Sequence, residues 1–107
     1  MERELDSQAW AAKRKIIDAA FAQRMVAASD ASPHVPPMNF GRLTWLKGEL
    51  LKRFNVSVST ESVRKWFSGE ARPRQKNMAM IAQLLQVDEA WLSLGLQPDM
   101  QPRERKA

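Results

Sequence analysis

Apolar residues recur every three or four positions along most of this 107-residue chain, and short segments without this spacing, two of which contain glycine or proline, separate the parts that carry it. Such spacing places apolar side chains on one face of an α-helix. We expect five helices, at residues 7–28, 40–54, 60–68, 75–86 and 89–94. The alternating residues 56–59 are too few to indicate a sheet. The sequence therefore predicts an all-α fold, a compact bundle of about five helices.

Capping residues mark the expected helix ends. A side-chain oxygen at the N-cap accepts a hydrogen bond from a free backbone N–H, and glycine adopts the left-handed conformation that ends many helices. The expected N-caps are Asp6 or Ser7, Asn39, Ser59 or Thr60, and Asp88, and the expected terminating glycines are Gly69 and Gly95. The first helix should bury Trp10, Ile17, Phe21 and Ala28, the second Phe40, Leu43, Leu46, Leu50 and Phe54, and the fourth Met78, Ile81, Ala82 and Leu85.

The length of the chain fits one domain. We predict an N-terminal tail at residues 1–6, one folded domain at 7–96 and a flexible tail or linker at 97–107, which would suit a further C-terminal domain or a protein partner. No apolar run approaches the ~18 residues of a membrane span. The acidic N-terminus lacks the apolar stretch of a signal peptide. We therefore expect a cytoplasmic protein that does not contact a membrane.

The residue types present exclude several kinds of catalytic and metal chemistry. The absence of cysteine excludes a disulfide scaffold, an iron–sulfur cluster and a cysteine nucleophile. His34 is the single histidine and lies in the proline-rich connector 29–38, so a transition-metal site has too few ligands and a serine–histidine–acid triad has no oriented base. Neither glycine-rich phosphate motif, GxxxxGK or GxGxxG, occurs. We expect no enzymatic activity, no metal and no cofactor.

Positive charge is concentrated in the middle of the chain. Residues 38–77 contain nine bases and three acids, a net charge of +6, whereas residues 1–37 are neutral and residues 78–107 carry −1. A localised basic segment is typical of a protein that binds a polyanion. Charge alone leaves open the alternative of a solvated surface.

Residues 50–69, LLKRFNVSVSTESVRKWFSG, combine this charge with a structural pattern. One amphipathic helix ends, a tight connection follows and a short basic helix begins, which is the arrangement of a helix-turn-helix. In the short helix Val63, Trp66 and Phe67 can pack, while its first turn stays polar. A helix that presents polar and basic groups at its N-terminal end suits the DNA major groove.

The chain resembles the lambda-repressor-like family, the Cro and phage-repressor type of helix-turn-helix regulator, over about residues 17–96. The matching features are the Ser59-to-Val63 spacing, Lys65-Trp66-x-Ser68-Gly69, Pro73, Ile81-Ala82, Leu84-Leu85-x-Val87, Trp91-Leu92 with Gly95, and residues 21–25. The resemblance implies a bundle of five helices that binds operator DNA as a dimer. Relative to the family, the connector 29–39, the second helix and the turn 55–59 are longer.

The resemblance and the charge pattern together give candidate site residues. The candidates for contact with base edges are Thr60, Glu61, Ser62, Arg64 and Lys65, and those for contact with phosphates are Lys47, Ser68, Arg72, Arg74 and Lys76. An acid at position 61 can accept a hydrogen bond from cytosine N4. The apolar surface left over for a dimer interface is expected in the fifth helix, at Trp91, Leu92, Leu94 and Leu96.

These features favour a sequence-specific double-stranded DNA-binding transcriptional regulator, a repressor that acts as a homodimer by occupying its operator. The alternative is an antitoxin-type protein-interaction module that also regulates its own promoter. Three residue-level alternatives stay open. Arg64 can simply pair with Glu61 three positions before it, the loop bases can be solvated, and Trp91 can pack inside the domain.

Overall fold

The computed structural model describes residues 15–97, which form five helices and no strand. The helices are α1 (Ala19–Ala31), α2 (Arg42–Phe54), α3 (Thr60–Ser68), α4 (Gln75–Leu85) and α5 (Glu89–Leu94). The prediction of an all-α fold is confirmed for this part of the chain. None of these helices is long and apolar enough to cross a membrane.

Helix α1 begins later than the sequence predicted. Residues 15–18 are not helical. The backbone N–H groups of Ile17 and Asp18 instead donate to the carbonyl of Gly69, at 2.9 and 3.1 Å. Asp18 is therefore the N-cap, and Ile17 is exposed rather than buried. The expected caps at positions 6 and 7, and Trp10, lie outside the described residues.

The structure also corrects the predicted start of α2. Asn39 is not its N-cap, because Gly41 would then lie inside the helix, and its left-handed backbone, with φ of 94°, interrupts an α-helix. Gly41 is the N-cap, and Phe40 is 77% exposed instead of belonging to the buried stripe. Arg42 is almost completely buried, and its guanidinium donates to the Pro36 carbonyl and to Asp30, both at 2.7 Å.

Helix α3 lies against α1 and α2, and α4 contacts α2 and α5. The predicted inward residues of α3, Val63, Trp66 and Phe67, are all buried. The largest fully buried side chains of the core come from all five helices: Phe21, Met25, Leu46, Leu50, Val63, Ile81, Leu85 and Leu92. Within residues 15–97 the core therefore contacts α3 on the side of Val63, Trp66 and Phe67.

Both ends of α3 are fixed by local contacts that the sequence predicted. The Ser59 hydroxyl accepts from the backbone N–H of Ser62 at 3.0 Å. Gly69 ends the helix with φ of 87°. A Cβ atom at this position would lie 2.9 Å from the carbonyl oxygen of Asp18, so the close approach of the segment before α1 also requires glycine.

The connector between α1 and α2 is attached to the C-terminus of α4. The Ser32 hydroxyl donates to the Leu85 carbonyl at 3.2 Å, and His34 Nε2 lies 2.9 Å from the Leu84 carbonyl oxygen. The His34 ring also meets Trp45 of α2 edge-on. These contacts satisfy carbonyl groups that a helix end leaves free, and they join three helices.

Candidate nucleic-acid interface

The outward face of α3 brings together the five residues predicted to contact bases. Because Val63, Trp66 and Phe67 are buried, helical geometry places positions 61, 64 and 65 on the opposite side, with positions 60 and 62 at its two edges. The residues concerned are exposed or half-buried: Thr60, Glu61, Ser62, Arg64 and Lys65. A rigid polar face is thus available on a helix whose two ends are fixed.

Arg64 lies between two carboxylates at the centre of this face. Its Nε donates to Glu61 Oε1 at 3.0 Å and its Nη2 to Glu61 Oε2 at 2.7 Å. On the other side Nη1 donates to Glu70 Oε2 at 2.9 Å. The Ser68 hydroxyl, predicted to reach a phosphate, donates to Glu70 at 2.8 Å. The alternative of an Arg64–Glu61 pair is therefore what the structure contains.

These contacts favour the charged forms of Glu61 and Arg64. The hydrogen bonds from Arg64 lower the pKa of the Glu61 carboxyl below its ordinary value, and the pKa of Arg64 is raised by its bonds to Glu61 and then to Glu70. Glu61, Arg64, Lys65 and Glu70 together carry no net charge at neutral pH. The face of α3 is therefore hydrogen-bonding rather than strongly cationic.

A polar groove of about 460 Å³ lies beside the N-terminus of α3. It is lined by residues 57–59, by Ser62 and Trp66 of α3, and by residues 71–74 and Asn77. Helix α4 starts at this groove. Its N-cap, Arg74, makes no side-chain capping bond, and no acid stands in its first turn. The positive end of the α4 dipole, with exposed Arg74 and Lys76, therefore suits an anion.

The ion pairs separate the nine bases of residues 38–77 into two groups. Five are paired with carboxylates: Arg42, Lys52, Arg53, Arg64 and Arg72. Four form no ion pair with any residue between 15 and 97: Lys47, Lys65, Arg74 and Lys76. Three of these four, all except the half-buried Lys65, are exposed. Within residues 15–97 these four are the basic side chains of the segment that no carboxylate neutralises.

Arg72 is not a free surface cation, which corrects the prediction made for it. Its guanidinium donates to Asp18 at 2.6 Å and to the Ser93 hydroxyl at 2.8 Å, and its Cζ lies 4.9 Å from the centre of the Phe21 ring. The N–H of Phe21, and then Arg72, hold the pKa of Asp18 below its ordinary value. The guanidinium of Arg24 also donates to two carbonyl oxygens of α5, those of Leu92 and Ser93.

This cluster around Arg72 was missed by sequence reasoning. Asp18 stands three residues before Phe21, which is the spacing of a capping carboxylate. Apolar residues at helical spacing continue before Asp18, so the predicted helix included this residue and its capping role was not recognised. The contact between Asp18 and Arg72 joins residues 54 positions apart, which no local pattern contains.

The predicted dimer residues in α5 and directly after it divide between core and surface. Leu92 is completely buried among the other helices of the domain. Its assignment to a dimer interface is therefore wrong. Trp91 is half-buried against the core. Leu94 and Leu96 are 66% and 55% exposed and are available for contact with another molecule.

Between residues 15 and 97, no group of three or more histidine, aspartate or glutamate side chains is placed to hold a metal ion. Comparison of the chain with protein-family models, with curated proteins and with solved structures found no match.

Proposed function

We propose that this protein is a sequence-specific double-stranded DNA-binding regulator. Helices α2 and α3 would form a helix-turn-helix, with α3 in the major groove. The observation that carries the proposal is the outward polar face of α3, positioned beside a groove at which α4 begins uncapped between Arg74 and Lys76. A base-reading helix next to a phosphate-binding helix end is the combination that duplex recognition needs.

Contacts with DNA phosphates would come from basic side chains that form no ion pair within residues 15–97. Lys47, Arg74 and Lys76 are exposed, and Lys65 is half-buried on α3. Cations that already neutralise a carboxylate gain less from a phosphate, since the carboxylate must first be released or must remain as a repelling charge. The proposal therefore assigns the contacts with the DNA backbone to Lys47, Arg74 and Lys76 and not to Arg72, while Lys65 on α3 remains a candidate for contact with a base.

A homodimer that acts as a repressor completes the proposal. One short helix reads only a few base pairs, and a two-fold dimer would place two copies of α3 about 34 Å apart on one side of the duplex. The exposed Leu94 and Leu96 support an interface at α5. Occupation of the operator would exclude polymerase by steric overlap.

The test is binding to random-sequence duplex DNA across a series of salt concentrations. Log affinity should fall linearly with log salt, with a slope of about 0.9 per phosphate contacted. Arg74→Ala and Lys76→Ala should each reduce the slope by roughly one and weaken binding to all sequences. Lys15→Ala, outside the basic segment, is the matched control and should leave the slope unchanged. A salt-independent interaction, or no binding at low salt, would contradict the proposal.

A further inference from the structure

We propose that Glu61 is an acceptor that selects cytosine, and that Arg64 and Glu70 are positioning residues that hold its carboxylate in place. This inference rests on the proposed function, because it assigns specificity to the face of α3 that would enter the major groove. It replaces the expectation that Arg64 itself contacts a base.

The hydrogen bonds of Arg64 leave it little capacity to read a base. A guanidinium has five N–H donors. Two of them donate to Glu61 and two more to Glu70, the weakest of the four at 3.3 Å. One donor is left, whereas the specific contact of arginine with guanine uses two. Arg64 can therefore contact guanine in its usual way only by giving up a carboxylate.

The same bonds restrict Glu61. Its side chain is 62% exposed and would rotate freely if it were alone. Both of its oxygens instead accept from the planar fork of Arg64, which fixes the plane of the carboxylate. Arg64 is fixed in turn by Glu70, and the Ser68 hydroxyl donates to Glu70. A carboxylate offers about four acceptor positions, so two remain for a base.

The chemistry of the four bases then selects one. A carboxylate only accepts hydrogen bonds. In the major groove guanine presents two acceptors, thymine an acceptor and a methyl group, and adenine an amino group beside the N7 acceptor. Cytosine presents its N4 amino group without a neighbouring acceptor of its own. The adjacent guanidinium of Arg64 also offsets the repulsion between Glu61 and the phosphates.

The experiment begins with selection of bound sites from random duplex DNA by the wild-type chain, which should give cytosine at a fixed position in each half-site. Replacement of that cytosine should weaken binding by about 5- to 150-fold, as expected for loss of one good base contact. Glu61→Gln should transfer the preference towards adenine, since an amide can bond both N6 and N7.

The positioning residues are tested by two variants. Arg64→Lys keeps the charge but loses the fork, so discrimination at this base pair should fall several-fold while affinity for random duplex is retained. Glu70→Gln should also reduce discrimination, but should raise affinity for random duplex because it removes a negative charge. Glu89→Gln, which removes an exposed carboxylate from α5, is the matched control and should leave base preference unchanged.

The possible outcomes distinguish failure of this inference from failure of the proposed DNA binding. Circular dichroism and thermal unfolding of each variant establish that the fold is retained. Binding with no cytosine preference, or a preference that Arg64→Lys and Glu70→Gln leave unchanged, overturns the inference and leaves DNA binding standing. Failure of the wild type to bind any duplex overturns both.

Discussion

Arg72→Ala is expected to destabilise the fold, whereas Arg74→Ala two residues later is expected to weaken DNA binding alone. Arg72 makes a charged hydrogen bond to Asp18, a second bond to Ser93 and a stacking contact with Phe21. The Asp18 and Arg72 side chains are 27% and 29% exposed, so solvent weakens the pair, and we assign it about 1 kcal/mol.

The remaining contacts of Arg72 raise the total. The bond to Ser93 contributes about 0.5 kcal/mol, and the contact with the Phe21 ring contributes about 0.5 kcal/mol. Loss of all three therefore costs about 2 kcal/mol. In a domain of this size that corresponds to a fall in Tm of roughly 8–16 °C.

Urea unfolding followed by circular dichroism measures this loss, and DNA binding is measured where each variant is folded. Arg74→Ala should change the free energy of unfolding by less than about 0.5 kcal/mol, because its side chain is exposed and unpaired within the described chain. The double variant Asp18→Ala/Arg72→Ala should lose less than the sum of the single variants, since both remove one contact. Equal stability of the Arg72 and Arg74 variants, with equal loss of DNA affinity, would refute the internal role of Arg72.

Three further predictions concern the contacts that position α3 and α5. Gly69→Ala should cost about 2–4 kcal/mol in urea unfolding, because it adds a collision with a backbone carbonyl to the left-handed strain, whereas Gly41→Ala, with open space at its Cβ, should cost only about 1 kcal/mol. The pKa of Asp18 is lowered first by the N–H that it caps, so its contribution to stability is complete above its ordinary value of 3.8 and is lost as the pH falls through the lower native value; Asp18→Asn should flatten this part of a pH–stability profile. Leu92→Ala should cost about 2–5 kcal/mol in thermal or urea unfolding, while Leu94→Ala should stay within about 0.5 kcal/mol for the monomer and shift sedimentation towards it.

Helix ends that depend on near neighbours were predictable. Ser59 and Asp88 each accept from a backbone N–H three residues later, and Gly69 and Gly95 end their helices with left-handed backbones. Asp88, Gly69 and Gly95 were expected from residue type and position, and Ser59 was one of two expected caps, with Thr60 as the alternative. The interactions that form these helix ends lie within one helical turn, so the local sequence is sufficient to predict them.

The buried side of α3 was predictable for the same reason. The 3.6-residue period places Val63, Trp66 and Phe67 together, and positions 61, 64 and 65 are then outward by geometry. The candidate base-contacting residues share one helix, which is why the sequence could group them. Their proposed role on DNA stays a prediction.

Contacts between distant segments were decided by the tertiary structure. The start of α1 at Ala19 follows from the docking of Ile17 and Asp18 on Gly69, about fifty residues away. The start of α2 follows from left-handed residues in a connector that Arg42 ties to Asp30. Periodicity extends a helix wherever apolar residues continue, because it carries no information about competing hydrogen-bond partners.

The same distinction divides the candidate site. Composition correctly indicated nine basic residues between residues 38 and 77. Lys52 and Arg53 pair with Glu49, and Arg64 with Glu61, within one helical turn, so these pairs are local to the sequence. The pairing of Arg42 with Asp30 and of Arg72 with Asp18 was decided by the fold. Arg72 meets Asp18 across 54 positions and Leu92 turns into the core, so neither is free for the role predicted from its type. A residue's charge or hydrophobicity is a property of the sequence, but its availability depends on which distant groups the fold brings to within hydrogen-bonding or van der Waals distance.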